Sequence, residues 1–161
     1  MIDPSLRDLY QEVILDHGRN PRHFHALEDA SHEAQGHNPL CGDRVHLYLK
    51  IGPSGLVEDI AFEGKGCAIS MASASMMTDL VLGKEVKEAK ILADAFYQLA
   101  KGEPVEAPLR PEDREQIEVL GGVSEFPMRV KCATLAWHTF EAAFEPKDGA
   151  GQQALREAMS E

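Results

Sequence analysis

The sequence predicts an α+β fold, with a small antiparallel sheet of about three strands packed against several helices. Three observations carry that expectation. Apolar and polar residues alternate over 44–51, and a Gly-Pro turn and a second apolar stretch follow, which is the pattern of a hairpin. Segments with helical spacing lie before and after this hairpin, an order that suggests a small sheet covered by helices. No repeat and no linker-like composition divides the 161 residues, so a single domain is expected over 1–161.

Asp3 and Pro4 make a helix start, an N-cap carboxylate followed by proline at the first helical position. Leu6, Leu9, Tyr10, Val13 and Ile14 continue it at helical spacing, and it should end near Asp16-His17-Gly18. The polar stretch 19–25, stiffened by Pro21, reads as a loop. Val45, Leu47, Leu49 and Ile51 alternate with Arg44, His46, Tyr48 and Lys50, giving a strand with one buried face. Gly52-Pro53-Ser54-Gly55 turns the chain, and 57–63 returns with Ile60 and Phe62 inward. A third, short strand is expected near Cys67.

The segment 68–82 is rich in Ala, Ser and Met and stops at Gly83, as a tightly packed helix would. A second helix is expected over 87–101, with Ile91, Leu92, Ala95, Phe96 and Leu99 on one face and Gly102 closing it. The polar stretch 103–118 holds Pro104, Pro108 and Pro111 and reads as an excursion with room for one short helix. Pro127 opens the last long helix, which runs through Cys132, Leu135, Trp137 and Phe140 to about Phe144, before Pro146. The remainder, 147–161, should fray or form a small helix.

Composition narrows the function classes. A net charge of −11 repels phosphate backbones and anionic lipid, so neither nucleic acid nor a membrane surface is expected as partner. An apolar content of 43% fits a globular chain, and no run approaches the roughly 18 apolar residues of a membrane span. Met1-Ile2-Asp3-Pro4 has no basic region leading into an apolar one, so no secretory signal is expected and the cytoplasm is inferred. The cysteines number three, and a disulfide framework would leave one thiol over. Metal binding or thiol chemistry fits better.

Each cysteine has its own setting: Asn38-Pro39-Leu40-Cys41-Gly42-Asp43, Gly64-Lys65-Gly66-Cys67, and Phe126-Pro127-Met128-Arg129-Val130-Lys131-Cys132. Cys41 and Asp43 are two positions apart, and Gly42 lets the backbone fold so that both side chains converge just before a strand. Cys67 follows a glycine pair at the expected start of a helix, whose dipole and free amides favour a thiolate. Cys132 lies within a helix, with Arg129 one turn earlier and Lys131 adjacent; nearby positive charge favours the reactive anion. Three thiols and one carboxylate are ligands of the kind taken by zinc or an iron–sulfur cluster. Lys65, Arg129 and Lys131 are candidate counter-charges. The spacing is not the paired Cys-x-x-Cys of a zinc finger, and any one free cysteine can equally be a small buried hydrophobe. The glycine-flanked settings of Cys41 and Cys67 argue against that for those two.

Other residues carry weaker signals. His17, Arg19, Arg22 and His23 form a basic cluster that fits a partner contact, a site contact or a capping loop equally. His37, four residues before Cys41, is a candidate alternate ligand or proton carrier, though such a histidine is more often exposed. His46 and His138 fall on a strand and a helix and read as structural. Ser70, Ser73 and Ser75 have no nucleophile-elbow context, and Met71, Met76 and Met77 read as core.

Taken together and in this order, the three cysteine segments resemble the U-type iron–sulfur assembly proteins: IscU, SufU and the N-terminal part of NifU. The resemblance runs from about Leu9 to Phe144, and Asp16-His17-Gly18-Arg19-Asn20-Pro21-Arg22-His23 shares it. Lys131 stands where IscU proteins have histidine, and the Cys67–Cys132 span, with its proline-rich 103–118 stretch, is longer than theirs. Both features resemble SufU. Phe126-Pro127-Met128-Arg129-Val130-Lys131 also departs from the Leu-Pro-Pro-Val-Lys that a dedicated chaperone reads in IscU.

The resemblance implies a SufE/NifU-like fold and zinc held by Cys41, Asp43, Cys67 and Cys132. It implies a pyridoxal-phosphate cysteine desulfurase, SufS- or IscS-like, as sulfur donor, and downstream assembly or recipient proteins. In the leading expectation the protein is a sulfurtransferase-like acceptor. Desulfurase docking exchanges a zinc ligand and frees Cys41 to attack the persulfide, while Arg129 stabilises the anion; Cys132 is the alternative acceptor. IscU-like behaviour would instead be a scaffold carrying a transient [2Fe–2S] cluster on the same four residues. From another class, the chain could be a structural zinc module that binds proteins. No spacing supports a Cys–His thiol hydrolase.

Overall fold

The computed structural model describes residues 4–39, 42–106, 108–125 and 127–144 of the chain. In order, the elements are α1 (Pro4–Arg19), β1 (His32–Asn38), β2 (Asp43–Ile51), β3 (Val57–Lys65), α2 (Ala68–Val81), α3 (Val86–Ala100), α4 (Pro111–Gly121), a 3-10 turn (Gly122–Glu125) and α5 (Pro127–Ala142).

The sheet is an antiparallel meander in the order β1-β2-β3. The hairpin forms where alternation predicts it. Leu47 faces Phe62 and Leu49 faces Ile60 across the strands, and all four are fully buried. Each such side chain contributes about 1.5–3 kcal/mol relative to exposure. The third strand differs from expectation. It precedes the hairpin, as β1, and is not near Cys67, which caps α2 instead. The sequence of β1, His-Glu-Ala-Gln-Gly-His-Asn, has no β-branched or large apolar residue, so strand propensity gives no signal there. Packing makes the strand. Its buried positions are Ala34, Gly36 and Asn38, and α5 lies directly against them. A Cβ at Gly36 would overlap Thr139 Oγ1 and stand 3.0 Å from Leu135 Cδ1.

α2 is the central helix. Of its residues, Ser70, Ala72–Thr78, Leu80 and Val81 are buried, so it has no polar face, as its small residues foretell. It packs on α1, α5 and β3, and the Ser73 hydroxyl donates to Ala133 O of α5. Met76 and Met77 are in the core, as expected. α3 buries Leu92, Ala95 and Phe96, and Phe96 stacks on Trp137 of α5 at 5.1 Å. The proline-rich excursion contains α4, begun by Pro111 and tied to the end of α2 by Lys84, which pairs with Asp113 at 3.2 Å.

The loop after α1 is a clamp. His17 Nδ1 lies 2.7 Å from Ser75 Oγ of α2, and the same oxygen accepts the Arg22 N–H at 2.8 Å. Arg22 pairs with Asp16, and His23 Nε2 lies 3.1 Å from Asp79 Oδ1. Phe24 then meets Phe62 of β3 edge to face at 5.2 Å. Within the basic cluster, His17, Arg22 and His23 therefore fasten α1 to α2 and the sheet. His46 and His138 are structural too: His46 stacks on Tyr48 and lies 2.8 Å from Glu33, and His138 stacks on Tyr97.

Candidate metal centre

Three chain segments separated by dozens of residues meet at one end of the sheet. Asp43 opens β2, opposite Asn38 of β1 in register, and is fully buried. Between them the hairpin turns through Gly42, whose φ of 71° is a left-handed conformation that glycine adopts without cost. Cys67 is the N-cap of α2, extended at φ −69°, and its Sγ accepts the Ser70 N–H at 3.4 Å. A thiol at that position sits among free helix N–H groups, which favour negative charge. Cys132 lies in the second turn of α5, fully buried. Its Sγ receives Asn38 Nδ2 at 3.7 Å and lies 4.0 Å from Met128 O.

One ligand atom from each of Asp43, Cys67 and Cys132 lies within 4.8 Å of the others. The carboxylate is held by one oxygen only. Asp43 Oδ1 accepts the Cys67 N–H at 2.9 Å, joining the start of β2 to the start of α2. Oδ2 is buried and has no hydrogen-bond partner among the described residues. An unpartnered buried carboxylate oxygen is costly, and a cation shared with the two sulfurs removes that cost. Around zinc at tetrahedral angles, ligand atoms stand about 3.5–3.8 Å apart, a modest contraction from the arrangement seen. Two sulfurs and a carboxylate oxygen thus fit a metal with three protein ligands in place. Cys41, the expected fourth, lies outside the described residues.

The glycines before Cys67 act by close approach. Neither Gly64 nor Gly66 has positive φ. A Cβ at Gly66 would overlap Asp43 Oδ1 and lie 3.0 Å from Asp43 Cγ, and one at Gly64 would overlap Arg44 O. Both absent side chains let the β3–α2 connection run against Asp43 and the neighbouring strand.

Arg129 is exposed, three residues before Cys132; Lys65 is exposed and Lys131 half-buried. His37 is half-buried opposite Arg44, on the sheet face away from α5, and is not in the Asp43–Cys67–Cys132 group. Two residues near the sulfurs were given no site role by sequence: Asn38, which touches Cys132, and Ser70, whose amide touches Cys67 and which was weighed only as a nucleophile. The signal for Asn38 was its place just before Pro39-Leu40-Cys41; for Ser70, it was the three-residue spacing of an N-cap pair.

Residues 9–133 match the NifU-like N-terminal domain family. The chain belongs to that family. Two similar family members are named for different tasks. The zinc-dependent sulfurtransferase SufU of Bacillus subtilis is 43% identical over 90% of this chain and 95% of its own. The iron–sulfur cluster assembly scaffold protein IscU of Streptococcus pyogenes is 45% identical over 88% of this chain and 86% of its own. Among solved structures, a putative iron–sulfur cluster assembly scaffold protein for the SUF system from Fervidobacterium islandicum superposes with a TM-score of 0.77. It is 32% identical and covers 86% of this chain and 98% of its own. The α+β architecture is thus that of the family, as the cysteine segments had implied. No helix among the described residues is long and apolar enough to cross a membrane.

Proposed function

We propose that this chain is an iron–sulfur cluster assembly protein that holds zinc through Cys41, Asp43, Cys67 and Cys132 and accepts sulfane sulfur on Cys41 from a pyridoxal-phosphate cysteine desulfurase. The observation that carries the reading is the meeting of Asp43, Cys67 and Cys132 within 4.8 Å, with Asp43 Oδ2 unpartnered among the described residues. The similarity to a relative named as a zinc-dependent sulfurtransferase supports it. Zinc, when bound, supplies a fixed positive charge that keeps its thiol ligands ionised.

The chain's own residues set up the transfer. In the sequence Cys41 follows Pro39 and Leu40 and precedes Gly42, between the residues of β1 and those of β2. Its thiolate attacks the outer sulfur of the donor's persulfide. One S–S bond forms on Cys41, the donor's S–S bond breaks, and the donor cysteine leaves as thiolate, so no electrons are gained or lost overall. Asp43 is anchored by the Cys67 N–H, and Cys132 is shut away from solvent, so both are placed to remain ligands while Cys41 reacts. Arg129, exposed one turn before Cys132, supplies a cation for the persulfide anion.

Native mass spectrometry before and after incubation with desulfurase and cysteine tests this. The expected result is one zinc per chain and one added sulfur, absent in Cys41→Ala. Full sulfur loading of Cys41→Ala would overturn the assignment and move the acceptor to Cys132.

The 45% identity to a relative named as a cluster scaffold favours a second reading, in which the same four residues carry a transient [2Fe–2S] cluster as cargo. A carboxylate ligand binds such a cluster less firmly than a thiolate, so Asp43→Ala would make it persist. Anaerobic reconstitution with iron and sulfide, followed by visible absorption, separates the two readings.

A further inference from the structure

Ser70 lies one turn after Cys67, at the third position of α2, and is only 1% exposed. Its main-chain N–H is engaged by Cys67 Sγ. Its hydroxyl is buried with no hydrogen-bond partner among the described residues. A serine or threonine buried in a helix ordinarily solves this locally. It can donate to the carbonyl one turn back, as Thr134 does to Val130 and Thr139 to Leu135 in α5. At the third position it can also reach back to the N–H of the capping residue. That N–H, of Cys67, is already given to Asp43 Oδ1. Asp43 Oδ2 and Ser70 Oγ, both buried and without a hydrogen-bond partner among the described residues, therefore belong to residues that both hydrogen-bond with Cys67.

We propose that Ser70 is a positioning residue of the metal centre, its hydroxyl reserved to donate to Cys67 Sγ once zinc is held. This rests on the zinc reading above. A thiolate on zinc keeps much of its negative charge, and donors to that sulfur disperse the charge and fix the side chain. The Ser70 amide is one such donor in the structure, and the hydroxyl, carried on the same residue and unpartnered among the described residues, would be a second once zinc is held. Among the described residues the hydroxyl has no other partner. Its contribution therefore falls on the loaded protein, and a merely structural hydroxyl would contribute to both forms.

The test compares two measurements on the full chain: zinc affinity by competition with a chromophoric chelator, and urea unfolding of the metal-free protein. Ser70→Ala should weaken zinc binding about tenfold, within the range for groups that support metal ligands. The metal-free protein should be no less stable, because an idle buried hydroxyl has been removed. Ser70→Thr, which keeps a hydroxyl, should retain zinc affinity. Ser73→Ala, which breaks the Ser73–Ala133 bond, should lower stability in both forms without a selective loss of zinc. Zinc affinity of Ser70→Ala within about twofold of the wild type would overturn the proposal. So would a destabilised or unfolded metal-free Ser70→Ala, because the hydroxyl would then hold the fold. If the wild type itself takes no zinc, the zinc reading is what fails, and the same titration shows it.

Discussion

The amide of Cys67 donates to one oxygen of the Asp43 carboxylate at 2.9 Å, while the other oxygen is buried and has no hydrogen-bond partner among the described residues. The bond joins the first residue of β2 to the cap of α2, and one oxygen of the same carboxylate lies within 4.8 Å of both sulfurs. Changes that displace Asp43 should therefore damage binding more than folding.

Gly66→Ala is the direct case. The new Cβ would occupy the space of Asp43 Oδ1. Zinc affinity should fall by tenfold or more on the scale for misplaced ligand supports, roughly 10–100-fold. The accompanying stability loss should be about 1–3 kcal/mol, as for overpacking. Chelator competition and urea unfolding measure the two. Unchanged zinc binding would mean that the β3–α2 connection yields easily and that Asp43 is not held by it.

Gly36→Val tests the strand that packing creates. Its side chain would run into Thr139 and Leu135, so β1 must leave α5. A loss of about 1–3 kcal/mol or more is expected, read as a lower urea midpoint. Because Asn38 of the same strand donates to Cys132, zinc affinity should fall as well.

His17 makes stability depend on pH. Burial is the main cause that holds its imidazole below the ordinary value, and the Arg22 charge adds to it, against weaker opposing pulls from Asp79 and Asp16. The folded state thus prefers the neutral ring. That preference contributes fully above the unfolded value of about 6.5. It is lost as the pH falls below that value toward the folded one, because the unfolded chain binds a proton that the folded chain refuses. The urea midpoint of the wild type should drop between pH 7.5 and pH 5.5 by more than that of His17→Gln. Equal drops would show that the ring charges in place.

Tyr48 lies outside the metal centre and provides a check on the open face of the sheet. Its hydroxyl donates to Glu63 Oε1 at 2.7 Å, and that bond, with burial and the Glu63 and Glu33 charges, pushes its pKa up to about 12. The protonated phenol favours the fold up to about pH 10, and this is lost as the pH rises toward the folded value. Absorbance titration should show a late phenolate that Tyr48→Phe removes and Glu63→Gln shifts to lower pH. A late phenolate that persists in Tyr48→Phe would belong to another tyrosine.

Much of this protein was decided by local sequence. Alternation over 44–51 made the hairpin, because a strand with one buried face must alternate. Pro4, Pro111 and Pro127 stand at the starts of α1, α4 and α5, where a missing N–H costs nothing. The cysteine settings, with Asp43, pointed to the family and to a candidate ligand set. Tertiary structure decided the rest. β1 has no strand signal of its own and exists because α5 needs the small residues Ala34 and Gly36 beneath it. His17, Arg22 and His23 looked like a basic patch and became a clamp, because Ser75 and Asp79 of α2 come to meet them. The nearness of Asp43, Cys67 and Cys132 was implied by family likeness but is produced by the fold. Residues so far apart along a chain meet only when packed elements close the distance, and pattern along the chain carries no term for that.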